Sequence, residues 1–337
     1  MTFDASVYRP LDLERAVRDQ YGPGARLVSN GDHLYSWSAA VNGQRRSLDL
    51  ERAVETQYGR DWSLVTTGVH RYDWKALQFD RLNAVVLPVM PIASDRFFDV
   101  AGVRRARDRY KSVLETVQHW YRERVSETFA LLDPLVVPTK HPSAAWNDRS
   151  TATQHPDQRF ALFESAVDAY SASLPRATSR IRVVLAPYTG DSPDVWLGAA
   201  ASSPYVVVPP RATSISCPAS GPLDARCADA AYAVGHELGH TFGLRHSCQA
   251  HPNHPRCRQS IMGTGKPPEA ILLEKEIAAL LSSPFFAHRG LQTGWQQCVV
   301  GPDGPEIQPR SPDEWPIPEP EPIPEPEPLS PTGTEDT

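Results

Sequence analysis

The chain has 337 residues, a formal net charge of −6 and 40% hydrophobic residues, enough apolar side chain for about two packed domains. The acidic balance excludes a strongly basic surface, so we expect no nucleic-acid partner. No apolar run approaches the ~20 residues of a transmembrane helix, and no secretory signal is visible, so the chain is either intracellular or a mature form with a starting Met.

A tandem repeat opens the chain and defines a predicted first domain, residues 1–76. The segment PLDLERAVRDQYG, from Pro10, recurs as SLDLERAVETQYG, from Ser47, at an offset of 37 residues. Two units of this size bury little surface alone, so we expect them to pack on each other.

Each repeat is predicted to be a short helix followed by a hairpin. Asp12 and Asp49 are suited to cap the two helix starts. Asn30-Gly31 and Thr67-Gly68 stand between alternating residues, where a tight hairpin turn needs positive φ. We therefore predict a tight hairpin turn with positive φ at each of these positions.

The repeats resemble short tandem modules of secreted and cell-wall-associated bacterial proteins, which share a QYG…YSW signature. The cysteines expected in such modules near Val17 and Ala39 are absent. The resemblance covers about 70 residues and implies cell-wall or glycan binding through residues 1–76.

Two aromatic pairs in the repeats have two interpretations. Tyr35 with Trp37, and Tyr72 with Trp74, recur at the repeat offset. They either stack on sugars or form the small core of each unit. The sequence leaves both interpretations open.

Residues 77–300 are predicted to form an α/β domain, because buried strands alternate with amphipathic helices. Strands are predicted in LNAVVLPVMPI, FALLDPLVVPTK, IRVVLAPYTG and SPYVVVPP, and helices in VRRARDRYKSVLETVQHWYRERV, PDQRFALFESAVDAYSASL, Leu223–Phe242 and PEAILLEKEIAALL. After them, residues 301–337 contain twelve prolines between Pro302 and Pro331, alternating with glutamate over much of their length. This composition predicts a disordered, extended acidic tail.

The stretch HELGHTFGLRH contains the residues best suited to bind a metal. His236 and His240 are four residues apart, so a helix places both imidazoles on one face. Glu237 lies beside them as a candidate base. Gly243 can adopt a left-handed conformation, end the helix and bring His246 to the same ion.

The stretch SIMG follows at Ser260, with Met262 as the candidate residue of a methionine turn. With this methionine, H-E-x-x-H-x-x-G-x-x-H resembles the metzincin zinc endopeptidases, and Ser247 after the third histidine resembles the matrixin branch. The resemblance implies a domain with a mixed twisted sheet, an active-site helix and a Met-turn. It assigns one catalytic Zn²⁺ to His236, His240 and His246, with Glu237 as general base and Met262 beneath the ligands.

The predicted function is therefore a zinc-dependent endopeptidase acting on a protein or peptide. We expect the substrate to bind along an edge strand by β-strand addition, for which WLGAAASSPYVVVPP from Trp196 is the candidate; the alternative is that it is a core strand. Two other functions remain open. One is an extracellular binding or adhesion protein that acts through its N-terminal repeats, with the protease domain auxiliary or inactive. The other is an exopeptidase or another zinc amidohydrolase.

Four of the five cysteines flank the histidine motif. We predict disulfides Cys248–Cys257 and Cys217–Cys227, with Cys298 left over. Such clustering fits an oxidising compartment and a secreted or extracellular bacterial protein. The alternatives are reduced thiols inside a cell, or a second metal site that Cys248 and Cys257 form with two histidines between them.

Overall fold

The structure is a computed structural model that describes residues 8–79, 82, 84–146, 156–174, 180–190 and 200–286. All of the described residues belong to one compact unit, which ends at Leu291. Cys298 and the predicted tail at residues 301–337 lie outside the described residues. Among the helices that the structure describes, none combines the length and the apolar composition needed to span a membrane.

The described residues form a mixed α/β fold with three sheets. The helices are α1 (Leu13–Tyr21), α2 (Leu50–Tyr58), α3 (Val100–Val125), α4 (Ser143–Trp146), α5 (Pro156–Ser173), α6 (Ala225–Thr241), α7 (Ser247–Ala250) and α8 (Glu274–Ser282). The strands are β1 (Tyr8–Pro10), β2 (Arg26–Ser29), β3 (Trp37–Val41), β4 (Gln44–Ser47), β5 (Ser63–Thr66), β6 (Trp74–Leu77), β7 (Val85–Ile92), β8 (Ala130–Leu131), β9 (Leu135–Pro138), β10 (Ile181–Leu185), β11 (Ala200–Ser202) and β12 (Tyr205–Val207).

The helix starts in the two repeats are capped as predicted. The Asp12 carboxylate accepts from the main-chain N–H of Arg15, and the Asp49 carboxylate accepts from that of Arg52, both at 2.9 Å. Each bond satisfies one main-chain donor that the first turn of a helix leaves unpaired. Both helices therefore begin where the sequence predicts.

The predicted tight turns are wrong. Neither Gly31 nor Gly68 has a positive φ, and longer loops, residues 30–36 and 67–73, join the strands of each hairpin. The tight turn lies instead at Asn42-Gly43, with φ of 50° and 79°, between β3 and β4. The two longer loops pair with each other across the repeats: the Leu34 N–H donates to the Val69 carbonyl and the Arg71 N–H donates to the Asp32 carbonyl, each at 2.9 Å.

The two repeats exchange strands reciprocally. β1, which precedes the first helix, pairs with β6 of the second repeat, while β4, which precedes the second helix, pairs with β3 of the first. The result is two three-stranded sheets, β1-β6-β5 and β2-β3-β4. Each sheet therefore contains two strands of one repeat and the strand that precedes the helix of the other repeat.

Side chains repeat this reciprocity at the 37-residue offset. The Trp37 indole N–H donates to the carbonyl of Arg71 at 2.6 Å, and that of Trp74 donates to the carbonyl of Leu34 at 3.0 Å. Both tryptophans thus join one unit to the other. Of the two interpretations of the aromatic pairs, the tryptophans fit the core role.

The sheet that supports the rest of the unit has six strands in the order β11-β12-β10-β7-β8, with β9 also pairing with β7. All pairings are parallel except that of β11, which is antiparallel to β12 at the edge. β7 is buried along its whole length, as its continuous apolar sequence predicts. The predicted mixed sheet is present, and FALLDPLVVPTK forms two short strands instead of one.

Helices cover both faces of this sheet. The apolar side of α3, which includes Tyr110 and Tyr121, packs with α6 on one face, and α5 packs through Ala166 and Tyr170 on the other. The second repeat packs at the β9 end, where Val65 and Leu77 join the core. This arrangement holds α6 between α3 and the edge of the sheet.

The last predicted helix begins later than its sequence suggests. α8 starts at Glu274 instead of Pro268. Ile271 lies in an extended segment whose N–H donates to Gln259 and whose carbonyl accepts from Ile261, both at 3.0 Å. These backbone groups pair with the segment that contains Met262, so they are not available to a helix.

Candidate metal centre

Helix α6 delivers two of the candidate ligands. It begins at Ala225, where the Asp224 carboxylate accepts from the N–H of Cys227 at 2.8 Å. His236 is buried and His240 is half-buried, one turn apart on one face. Gly243 follows the helix with φ of 96°, a backbone conformation that favours glycine.

The structure brings His246 to the same point. The Nε2 atom of His240 lies 3.2 Å from the Nε2 atoms of both His236 and His246, and all three ligand atoms lie within 4.8 Å of one another. Tetrahedral zinc with Zn–N bonds of about 2.0–2.1 Å separates its nitrogen ligands by about 3.3 Å. The spacing therefore fits one metal ion.

The opposite ring nitrogens determine which atoms are free to bind the ion. His236 Nδ1–H donates to the carbonyl of Ile261 at 2.7 Å, and His240 Nδ1–H donates to that of Leu244 at 2.9 Å. A carbonyl oxygen only accepts, so each Nδ1 carries the proton. Both Nε2 atoms then carry lone pairs and face each other.

The two facing lone pairs repel each other, and protonation of the imidazoles does not relieve this repulsion at neutral pH. Burial lowers the pKa of His236, and burial lowers that of His240 to about 4. Both imidazoles are therefore neutral at pH 7. A divalent cation at the point where the lone pairs meet satisfies them, which is the fit expected of a metal-binding site. No other group of three such ligands occurs within the described residues.

Glu237 lies next to the first histidine and is half-buried. Burial raises the pKa of its carboxyl to about 7. The nearby Tyr232 hydroxyl donates to the carbonyl of Gly263 at 2.8 Å, and its ring lies 5.3 Å from that of His236. Burial, and after it the Glu237 carboxylate, raises the pKa of Tyr232. The side chains of Glu237 and Tyr232 thus share one partly desolvated environment beside the histidines.

Met262 is fully buried against α6. A Cβ atom at Gly239 would overlap the Met262 sulfur in its present position, so the lack of a side chain at Gly239 permits this close approach. Gly239 directly precedes His240, which places the methionine next to the ligand-bearing part of the helix.

A buried carboxylate joins the segment after His246 to the segment around Met262. Glu276, only 4% exposed, accepts from the hydroxyl of Ser247, from the hydroxyl of Ser260 at 2.8 Å and from the N–H of Leu273 at 2.8 Å. The Ser247 N–H also donates to the Met262 carbonyl at 3.0 Å. These bonds tie the third ligand to the core of the unit.

The structure brings together the two cysteine pairs that the sequence predicts. Cys248 and Cys257 lie at disulfide distance with Cα atoms 4.9 Å apart, and Cys217 and Cys227 with Cα atoms 5.5 Å apart. Cysteines paired in this way supply no thiolate, so the alternative second metal site between Cys248 and Cys257 has lost its strongest ligands.

Sequence reasoning missed three residues that support this site: Gly239, Gln249 and Glu276. Gly239 had a local signal, because it occupies the helix face that also carries the histidines. Gln249 and Glu276 had none that we identify, since their partners become neighbours only when the chain folds.

The remaining candidate positions are placed as follows. β11 is an edge strand of the sheet, while residues 196–199 of the candidate substrate-binding segment lie outside the described residues. In the segment after Met262, the Lys266 ammonium lies 2.6 Å from the Asp229 carboxylate of α6. In the repeats, Tyr35 and Tyr72 are 62% and 56% exposed.

Comparisons with known proteins are distant. No protein family and no curated protein matches the sequence. Solved structures that match include OgpA from Akkermansia muciniphila, with 14% identity and a TM-score of 0.42 over 61% of this chain and 62% of that one. Archaemetzincin from Methanopyrus kandleri matches with 16% identity and a TM-score of 0.27 over 60% of this chain and 90% of that one. The chain thus covers under two thirds of OgpA, and similarities at these TM-scores carry no argument about function.

Proposed function

We propose that this chain is a zinc-dependent endopeptidase that uses His236, His240 and His246 as metal ligands and Glu237 as general base. The observation that carries the proposal is the meeting of three Nε2 atoms, of which two are held as lone-pair donors by main-chain carbonyls. Three neutral imidazoles leave a fourth position for water or substrate, as catalytic zinc sites require.

When bound, the ion supplies a Lewis acid that polarises the scissile carbonyl and lowers the pKa of a water. Glu237 supplies the base: a carboxylate oxygen takes a proton from the attacking water and passes it to the nitrogen of the leaving amine. Met262 closes the inner side of the site, so that substrate approaches from the solvent side, where His246 is exposed.

The edge strand β11 supports the preference for an extended peptide. Its position at the edge leaves one side of its backbone without a strand partner among the described residues, and an extended peptide can add there by main-chain hydrogen bonds. Such binding favours a cut within a chain. An exopeptidase would need a group that recognises a terminal charge.

The test combines zinc content with cleavage of casein and of a peptide blocked at both ends. We expect one zinc per chain, cleavage of both substrates, and a fall in kcat of about 1000-fold in Glu237→Gln with the zinc retained. Glu274→Gln, an exposed glutamate at the start of α8, is the matched control. An unchanged rate in Glu237→Gln would remove the base assignment, and cleavage of unblocked peptides alone would indicate an exopeptidase.

The exposure of Tyr35 and Tyr72 keeps a binding role of the repeats as a second candidate. Glycan-array binding by the full chain, lost in a Tyr35→Ala, Tyr72→Ala double variant while casein cleavage persists, would establish it. Absence of glycan binding would leave the repeats with a structural role only.

A further inference from the structure

The three converging imidazoles differ in what holds their outer nitrogen. The Nδ1–H groups of His236 and His240 each donate to a main-chain carbonyl. The Nδ1 atom of His246 lies 3.2 Å from the side-chain Oε1 of Gln249. A point substitution leaves a main-chain carbonyl in place, but it can remove a side-chain acceptor. The orientation of His246 is thus the one that depends on side-chain chemistry.

Local structure places Gln249 beside its partner. Helix α7 begins directly after His246, whose carbonyl accepts from the N–H groups of Gln249 at 3.1 Å and Ala250 at 2.9 Å. Residues three apart in such a turn lie on one side of it. Cys248, adjacent to Gln249, is bonded to Cys257, which closes the loop and restrains the turn.

We propose that Gln249 is the positioning residue for His246, and that the disulfide-closed loop from Cys248 to Cys257 holds it at the metal centre. The inference rests on the zinc site of the proposed function and gives the loop between the third ligand and Met262 a role at that site.

The chemistry follows from which atom carries the proton. When Gln249 Oε1 accepts from Nδ1–H, the Nε2 lone pair of His246 is free for zinc and the ring plane is held. The opposite amide orientation would direct the NH₂ group at Nδ1 and leave the proton on Nε2, where it blocks the metal. Zinc binding and the Oε1 contact therefore support each other.

The expected effect is moderate because both side chains are exposed. Loss of the hydrogen-bond partner of a ligating histidine weakens metal binding by about 10- to 100-fold. Water can replace an exposed acceptor in part, so we expect the lower end of that range, about 10-fold.

The test uses the full chain and measures the apparent zinc dissociation constant by competition with a chromogenic chelator at fixed pH. Gln249→Leu removes the side-chain oxygen that accepts from His246 and keeps a similar volume. Gln249→Glu keeps an oxygen acceptor at that position. Gln259→Leu is the matched control, because the Gln259 oxygen accepts from Arg256 Nε at 2.8 Å instead. We expect zinc binding about 10-fold weaker in Gln249→Leu, equal or tighter in Gln249→Glu, and within about twofold of wild type in Gln259→Leu.

A spectroscopic readout separates positioning from general stability. In the cobalt-substituted protein, we expect the visible absorption bands to shift in Gln249→Leu and to return in Gln249→Glu, while melting of the metal-free proteins stays unchanged. Wild-type affinity in Gln249→Leu, or an equal loss in Gln249→Glu, would overturn the inference and leave the proposed function standing. Absence of zinc binding by the wild-type chain would overturn both.

Discussion

The helix-borne and loop-borne ligands of this site contrast in how they are supported. His236 and His240 lie on α6, are at least half-buried, and orient through main-chain carbonyls. His246 lies beyond the helix, is exposed, and orients through a side chain. The first pair is positioned by the regular geometry of a helix, which many sequences can form.

The loop-borne ligand depends on particular residues. Gly243 lets the chain reverse, a disulfide closes the following loop, and Glu276 holds Ser247 to the core. Substitutions at residues other than the ligands should therefore disturb the loop side of the site, which contains His246, more than the helix side, which contains His236 and His240. Four predictions, in decreasing order of expected effect, test that comparison.

The largest effect should come from removing a helix ligand. Structural zinc sites with four protein ligands bind with about 10–16 kcal/mol, which is about 2.5–4 kcal/mol for each ligand, or about 100- to 1000-fold in affinity. We expect His240→Ala to approach this loss and His246→Ala to lose less, because its imidazole is less firmly oriented. Chelator competition measures both, with His254→Ala as the control. A larger loss in His246→Ala would reverse the comparison.

The second effect concerns the buried carboxylate of the loop side. Glu276→Leu leaves two hydroxyls and one N–H without their acceptor, which should lower the free energy of unfolding of the metal-free protein by about 3 kcal/mol. Glu276→Gln keeps one oxygen and should lose less. Chemical denaturation measures both, and the exposed Glu274→Gln should change little. Equal stability of Glu276→Leu and wild type would contradict the role of Glu276 in tying the loop to the core.

The third effect compares the two disulfides. Their sequence separations are 9 and 10 residues, so the chain-entropy model predicts that loss of either costs slightly less than 3 kcal/mol. Zinc affinity should distinguish them, because only the Cys248–Cys257 loop follows a ligand. We expect the Cys248→Ser, Cys257→Ser double variant to bind zinc more weakly than the Cys217→Ser, Cys227→Ser variant. Equal zinc affinities would show that the loop does not support the ligand.

The smallest effect tests the helix side. Gly239→Ala would place a methyl group against the Met262 sulfur, and such overpacking costs about 2 kcal/mol. Helix propensity alone predicts the opposite sign, a gain of about 1 kcal/mol. Thermal melting of the metal-free protein decides between them. A stabilised variant would mean that the methionine moves aside easily.

Much of the fold follows from patterns within short segments. The buried apolar run of β7 and the amphipathic spacing of α3 each predict their element, and both are present. The prediction of tight hairpin turns is wrong because Asn30-Gly31 favours a tight turn only locally. Contacts with the other repeat hold a longer loop there instead. The predicted start of α8 is too early because backbone groups before Glu274 pair with the extended segment near Met262.

The candidate site divides in the same way. The i, i+4 spacing of His236 and His240 and the glycine at position 243 are local facts, so the sequence by itself determined which residues can meet at a metal. It also determined that residues 10 and 47 begin two copies of one unit. Only the tertiary structure decided that these copies exchange strands, that Gln249 faces His246, and that Glu276 reaches Ser247, 29 residues away in the chain. The physical reason is that helix periodicity acts over one or two turns, whereas the partner of a buried polar group is chosen by the packing of the whole chain.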